Sequence, residues 1–462
     1  MNKQSPGRHS PAQSSAKQEL EAVLLANPAI VSVDAAIADI SGTLRGKRIG
    51  TADVAKLFET GMQIPLSLHL MDVRGEMMNP GGRGYSDGDP DGTAWPIAGT
   101  VMEVWGADPP RAQMLMRLCT ADGAPLSYDP RNILERVLQR FAELDLTPVA
   151  AHELEFYLID MERDERGRPQ PPRSRDGTRD ATPSVYGLQD LDRHQGFLTA
   201  LSEAAALQSV PISATSKEYA PGQFEANLRH QTNALTASDH AVFLRQIVRS
   251  AAARENARAT FMSKPYAERS GSGQHVHVSL IDRGGRNVFD NGTPEGSESL
   301  RFAAGGLAAL MPESMAFFAP NLNAYRRFQP DMFAPVNRRW GINNRSAGLR
   351  VPVGPNEARR IEHRCAGADA NPYLVMAAIL AGIHHGLVHR IDPGPPAQGN
   401  VSREPDSALP FSFERALEIL EQARMLPDYF GQDAVTLYRE TKAQELSRFR
   451  KIISAEEYDW YL

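Results

Sequence analysis

The stretch HELEFYLID, residues 152–160, carries two glutamates where a buried strand is expected. Alternate side chains of a strand share a face, so Leu154, Phe156 and Leu158 form one apolar surface while Glu153, Glu155 and Tyr157 form the other. Two carboxylates so placed, roughly 6 to 7 Å apart at about 3.3 Å rise per residue, repel unless something positive lies between them. Other stretches repeat the pattern. GSGQHVHVSL sets His275, His277 and Ser279 on one face against Val276, Val278 and Leu280, and RRIEHR sets Arg360, Glu362 and Arg364 together. KEYAPGQFEANL places Glu218 and Glu225 on either side of a Pro-Gly turn that can bring both carboxylates to one site. Five glutamates and a histidine suit hard divalent cations such as Mg²⁺ or Mn²⁺, which take oxygen donors and tolerate an imidazole.

Taken singly, an E-x-E pair is more often a solvated strand face, an H-x-H pair hydrogen-bonded structure, and an R-x-E-x-R strand a ladder of cross-linked charges. Interleaved with apolar faces that demand burial, the set needs compensation, because unpaired buried charge is too costly to persist. A second set binds anions: Arg327, Arg345, Arg350, Arg360 and Arg364 supply the guanidinium forks that grip carboxylate and phosphate. No G-x-x-x-x-G-K-[ST] cradle occurs. Metals and arginines together point to nucleotide phosphates clamped between two charge types, with phosphoryl transfer promoted by positioning and charge neutralisation.

Holding these residues requires a large folded body, and 462 residues with 42% hydrophobic composition can build one. A net charge of −6, with acids and bases scattered along the chain, leaves no basic footprint for nucleic acid. Cys119 and Cys365, without C-x-x-C spacing, fit buried residues of a reducing, cytoplasmic compartment. Residues 1–17, polar and rich in Ser and Pro, read as a disordered tail without a targeting segment. The apolar run at 374–383 is about half of a bilayer span and reads as a core helix, so no membrane partner is expected. Residues 18–125 form a small mixed α/β unit: a helix stopped at Asn27-Pro28, a hairpin turning at Ser41-Gly42, a helix from Thr51 to Gly61, and a long loop from Asn79 to Thr100. From residue 126 onward, Asp129 caps and Pro130 opens a helix; strands with polar alternate faces then recur between helices near 190–208, 235–257, 297–310 and 371–388. Residues 161–183 read as a charged surface insertion.

In this order, the motifs resemble those of the glutamine synthetase family from about residue 30 to the C-terminus. The family's E-x-E strand is similar to Glu153 and Glu155, its HHEVAPGQ.E segment to SKEYAPGQFEANL, and its NGSGMH.H segment to RSGSGQHVHVSL. Its NRSA.IR.P run is similar to NRSAGLRVP, and its RR.E.R…ANPYL run to RRIEHRCAGADANPYL. The resemblance implies an α/β (α+β) fold: a β-grasp N-terminal domain over 18–125, then a catalytic domain over 126–462 whose curved sheet forms a funnel. It implies ATP as co-substrate and two to three Mg²⁺ or Mn²⁺ ions per active site, one held by Glu155, Glu218 and Glu225, another by Glu153, His275 and Glu362. Arg327 would bind the α-carboxylate of glutamate, with Gly271 and Asp72 also at the substrate. Arg345 and Arg364 would hold the phosphoryl group in transit, Arg350 and Arg360 the nucleotide phosphates, with His277 and Ser279 near the nucleotide. Family members stack as rings, so the resemblance implies a homo-oligomer, a dodecamer, with each active site between neighbours.

Three departures bear on the reaction. The family's Asn before G-S-G is Ser270. Its FDGSS aspartate, which reaches an adjacent subunit's ammonium pocket, has its nearest match in Asp72 of MDVRGE. Its RL.PGYEAP becomes RFQPDMFAP, so the glutamate that closes the site and takes the ammonium proton is Phe333. With NAYRRF and a terminal WYL, this loss resembles the γ-glutamylpolyamine and γ-glutamylputrescine synthetases. The implied reaction is ATP-dependent ligation of the γ-carboxylate of L-glutamate to a primary amine or polyamine through γ-glutamyl phosphate. Asp72, Glu76 and Asp331 are candidates for a polyamine's second charge. An ammonia-using glutamine synthetase is the alternative. A catalytically silent structural protein would require broken ligands, and a metallohydrolase would require H-E-x-x-H.

Overall fold

Apolar side chains two apart line one face of a strand, and burial of those faces organises this chain around two sheets. The structure, a computed structural model, describes residues 11–462. The first sheet contains β1 (Ser32–Ala38), β2 (Leu44–Gly50), β3 (Met62–Pro65), β4 (Asp91–Pro96), β5 (Met102–Glu103) and β6 (Arg111–Cys119). Its order is β2-β1-β6-β4-β3, with β5 also on β6. The central β1–β6 pair is parallel and its other pairs antiparallel. The β1–β2 hairpin turns where expected: Asp39 Oδ1 accepts from the amides of Ser41 and Thr43, and Gly42 takes φ +75°.

The second sheet contains β7 (Thr147–Asp160), β8 (Ile212–Lys217), β9 (Gln223–Leu228), β10 (Ala257–Thr260), β11 (Gln274–Ile281), β12 (Trp340–Ile342), β13 (Leu349–Val351) and β14 (Ile361–His363). Its order is β12-β13-β14-β11-β7-β9-β8, with β10 also on β7, and it curls into a half-barrel. Leu154, Phe156 and Leu158 pack outward into a core with Phe197, Phe224, Leu244 and Val248. The opposite face of β7 carries Glu153 and Glu155 inward.

Between the sheets, Asp129 caps the helix Pro130–Glu143 by accepting from Arg131 N, and Pro130 takes its first turn, as expected. The helix Pro372–His389 is long and apolar enough to cross a membrane, but 78% of it is buried inside the protein. It packs on the helix Glu298–Phe318 through glycines: a Cβ on Gly306 would lie 2.1 Å from Gly382 O, and one on Gly386 2.0 Å from Phe302 O. Only glycine permits that approach.

Four expectations need correction. The first helix spans Pro11–Ala26 with Ala16 and Leu20 buried, so residues 11–17 are helical rather than tail; residues 1–10 lie outside the described residues. The segment from Asn79 to Thr100 contains β4, held because Ala94 is buried between β3 and β6. The helix expected over Thr51–Gly61 narrows to Lys56–Glu59, which buries Leu57 and Phe58. The helix expected to stop at 310 continues through Pro312 to Phe318. Proline there cannot donate to Ala308 O, and the Arg338 guanidinium donates to that carbonyl instead, at 3.3 Å.

Candidate active site

Period-two alternation puts the polar residues of each strand on one face; strand register decides which of them meet. Across β7 and β11, His275 stands opposite Glu153. Across β7 and β9, Glu225 stands opposite Glu155 and Asn227 opposite Glu153. Across β11 and β14, Glu362 stands opposite His277, and Arg350 on β13 stands opposite Glu362. Glu218 follows β8 and joins from the turn that leads into β9. In that turn Gly222 takes φ +75°, and a Cβ there would lie 2.8 Å from Leu158 O. The Pro221-Gly222 turn therefore folds the segment closely over β7, and the turn expectation holds.

Charge is distributed unevenly over this face. Burial works against the Glu153 carboxylate, but His277 and His275, with Nε2 at 2.9 Å and Nδ1 at 3.4 Å, hold it well below the usual carboxylate range. Burial likewise opposes Glu362, yet Arg364, the two histidines and Arg350 at 2.7 Å bring it down to about 2. For Glu218 the pull of Lys217 and Arg345, and for Glu225 the amide of Asn227, are outweighed. Burial, then Glu155, raises Glu218 to about 7; burial, then Glu153, Glu155 and Glu218, raises Glu225 to about 9. This excess of crowded, desolvated carboxylate oxygens is the donor chemistry of a hard divalent cation, so the residues fit the expected metal.

Ligand atoms within 4.8 Å of one another fall into two groups, Glu153 with Glu225 and His275, and Glu153 with His277 and Glu362. The second group differs from the expected set, in which His275 accompanies Glu362. Protonation favours His275. Arg360 Nε donates to His277 Nδ1 at 3.0 Å, and arginine has no acceptor, so Nδ1 is bare and Nε2 carries the proton. That protonated Nε2 lies 2.9 Å from Glu153 Oε1 and is not a free ligand atom. His275 Nδ1 lies 3.8 Å from Glu362 Oε1, close enough to share a cation with it.

The arginines ring this acidic centre. Arg327, 3% exposed, threads past glycines: a Cβ on Gly271 would meet its Cγ at 2.5 Å and one on Gly273 its Nη2 at 3.2 Å. Its Nη1 donates to Cys365 O, its Nε has no partner among the described residues, and of the acids acting on it Glu155 acts most strongly. Arg364 is buried on Glu362. Ser279 and Arg360 line a cavity of about 730 Å³ together with His230 and Asn287. Arg345 is exposed and shares a second cavity, of about 320 Å³, with Phe333 and Asp331. Phe333 is 72% exposed at φ 54°, and Asp331 at φ 63° accepts from Arg403 and Ser402. Two non-glycine residues in left-handed conformation mark this loop as held by its surroundings.

Asp72 is not brought to this centre. Its carboxylate is 2% exposed, accepts from the amides of Arg74 and Glu76, and pairs with Arg448 at 3.1 Å. Glu76 shares Arg448. Three contributors escaped the reading of the sequence. Lys217, 1% exposed, donates from Nζ to Glu218 O at 2.8 Å and Ala220 O at 2.7 Å, clasping the turn that carries Glu218 and leads to Glu225. Gln223 donates to Gly271 O and accepts from Ser270 Oγ, tying that turn to the loop around Arg327. Asn227 donates to Glu225 Oε1. The one signal was Lys217 itself, a lysine where the similar family segment carries histidine.

Residues 127–461 match the model of the glutamine synthetase catalytic domain. The chain belongs to the glutamine synthetase family. Every site residue above except Asp72 and Glu76 lies within the matched segment. Among this family member's relatives, γ-glutamylputrescine synthetase of Escherichia coli is 40% identical over 448 residues, 96% of this chain and 94% of that one. The glutamate–isopropylamine ligase of a Pseudomonas species is 31% identical over 437 residues, 92% and 93% of the two chains. The solved structure of ligand-free GmaS superposes with a TM-score of 0.81 at 25% identity, covering 94% of this chain and 97% of that one.

Proposed function

We propose that this family member is an ATP-dependent ligase that joins the γ-carboxylate of L-glutamate to a primary amine or polyamine. Similarity over nearly the full chain to relatives named for putrescine and isopropylamine supports the amine. The observation that carries the reading is Phe333, an exposed phenyl ring sharing a cavity with Arg345 where ammonia chemistry calls for a carboxylate. The reaction has two steps. The γ-carboxylate of glutamate attacks the γ-phosphorus of ATP and ADP departs, leaving γ-glutamyl phosphate; the neutral amine then attacks the acyl carbon, the C–O bond to phosphate breaks, and the proton lost by nitrogen leaves with the phosphate. Activation is needed because a carboxylate is a poor electrophile.

Each residue has a part in this reading. Arg327 holds the α-carboxylate in the passage opened by Gly271. Arg345 and Arg364 face the phosphoryl group in transit, where charge-assisted contacts stabilise the transition state more than the ground state. Arg350 and Arg360 receive the nucleotide phosphates, with Ser279 beside Arg360 in the larger cavity and His277 behind Arg360. Glu155, Glu218 and Glu225 would hold one Mg²⁺ or Mn²⁺, and Glu153, His275 and Glu362 another. Cations held there would supply neutralisation of the phosphate charge. We place an N-terminal domain over 18–125 and the catalytic domain over 126–462, in a cytoplasmic, ring-shaped homo-oligomer.

The test is glutamate- and ATP-dependent phosphate release with ammonia, ethylamine, putrescine, spermidine and an aromatic amine. An alkylamine or polyamine is expected to exceed ammonia in kcat/KM. Equal or better use of ammonia would make the enzyme an ordinary glutamine synthetase.

A further inference from the structure

Outside the active site, positive charge collects in a third cavity, of about 350 Å³, at the seam between the two sheets. One wall is the β1–β2 turn, Ser41 to Thr43; another is the helix Ala234–Arg254, which contributes Arg245 and Arg249; the helix Gln432–Phe449 contributes Lys442. Arg245 and Arg249 are one turn apart and flank a single ring: their guanidinium carbons lie 5.7 and 5.3 Å from the centre of Phe261. Arg245 is 4% exposed. Its Nη2 is used on Gln274 and on the carbonyls of Ala368 and Ala370, but its Nε has no partner. Lys442, 1% exposed, reaches Ser41 Oγ at 3.2 Å and Glu445 at 3.0 Å.

The acids do not balance this set. Glu445 compensates Lys442, which leaves the two guanidiniums facing Asp369, the one carboxylate among the described lining residues, and Asp369 already accepts from Ser263 and Asn321. Burial, then repulsion from Arg249, brings Arg245 down to about 9 against the opposing pull of Asp369. Like charges gathered in a partly desolvated cavity call for a counter-charge, as the glutamates do at the active site.

We propose that this cavity is a binding site for a small polyanion, a phosphate or a polycarboxylate, gripped by Arg249 and Arg245 with Lys442 on the opposite wall. Guanidinium forks match both oxyanions, and the volume suits a ligand of a few heavy atoms. Because its walls come from the N-terminal sheet, the helix under β7 and a C-terminal helix, an occupant bridges all three.

Isothermal titration of the full-length protein with inorganic phosphate and, separately, with citrate tests this at constant ionic strength, with Arg249→Ala and Arg249→Glu as variants. Arg249 lies on the exposed side of its helix, and alanine and glutamate are both good helix formers, so the variants fold. The wild type is expected to bind phosphate at a site that survives Arg364→Ala, a change confined to the active site. Arg249→Ala is expected to weaken that site about tenfold and Arg249→Glu to abolish it, with ligase activity unchanged in both. Tighter binding of phosphate or of citrate tells which source the cavity prefers. Binding indifferent to Arg249, or heat released equally by potassium chloride, would overturn the proposal.

Discussion

His275 stands opposite Glu153 across the β7–β11 ladder with Nδ1 3.4 Å from Oε2, whereas Glu225, opposite Glu155 on the other edge of β7, meets only like charge. The acidic half of the site is thus strained by its own electrostatics. Glu225→Gln is expected to raise the melting temperature of chelator-treated protein while lowering kcat/KM about 10³-fold at saturating Mg²⁺. Calorimetry in chelator paired with the phosphate-release assay checks both halves. A drop in melting temperature would show that the Glu225 charge is already compensated.

The same repulsion sets a pH dependence. Glu218 and Glu225, at about 7 and 9, keep protons that the unfolded chain loses near 4.5. Between these values the native state binds more protons than the unfolded state, so the contribution of these groups to stability falls as pH rises. A divalent cation displaces those protons and removes the repulsion. The rise in melting temperature produced by Mn²⁺ should therefore grow from about pH 5.5 to about pH 8.5. A rise that is flat or shrinks across this window would place the cation elsewhere.

Gly271→Ala would set a Cβ 2.5 Å from Arg327 Cγ and 2.8 Å from Ser263 O, and the carbonyl cannot retreat. Displacing the guanidinium should raise the KM for glutamate about tenfold or more while leaving that for ATP within about twofold. Arg327→Ala should act in the same direction. Steady-state kinetics decide the matter, and a selective effect on ATP would mean that Arg327 serves the nucleotide.

Phe333→Glu restores a carboxylate able to accept ammonium's charge and proton, and removes a ring that covers an amine's methylene stem at about 25 cal/mol per Å². The ratio of kcat/KM for ammonia to that for the best alkylamine should rise at least about tenfold. No change in that ratio would reduce Phe333 to packing.

Lys217→Met keeps the stem and deletes the ammonium that clasps the carbonyls of Glu218 and Ala220. Loss of two buried hydrogen bonds should cost about 1–3 kcal/mol of stability, and the loosened turn should weaken Mn²⁺ binding about 10- to 100-fold. Denaturant titration and Mn²⁺ titration measure the two effects. Weakened stability with intact Mn²⁺ affinity would make Lys217 purely structural.

Much of this site was legible in the residues because strand alternation is local. It obliges Glu153 with Glu155, His275 with His277, and Arg360 with Glu362 and Arg364, to share faces whatever the rest of the chain does. Local chemistry likewise announced the Asp129–Pro130 helix start, the turn at Gly42 and the Pro221-Gly222 turn. Short-range signals misled where a distant partner intervened: Pro312 reads as a helix end only until Arg338 supplies the missing donor to Ala308 O.

The sequence by itself determined which side chains were available to bind metal and phosphate, since residue type and period-two spacing need no partner strand. Only the tertiary structure decided how they meet. Register placed Glu362 opposite His277 and Arg360 against its Nδ1, and so put the His277 proton on Nε2 and left His275 Nδ1 beside Glu153 and Glu362. Folding buried the Asp72 carboxylate against Arg448, a partner from the far end of the chain. The physical reason is that register and burial are set by the packing of remote apolar faces, where a one-residue slip would turn every ligand away, and no local pattern records which strand lies alongside.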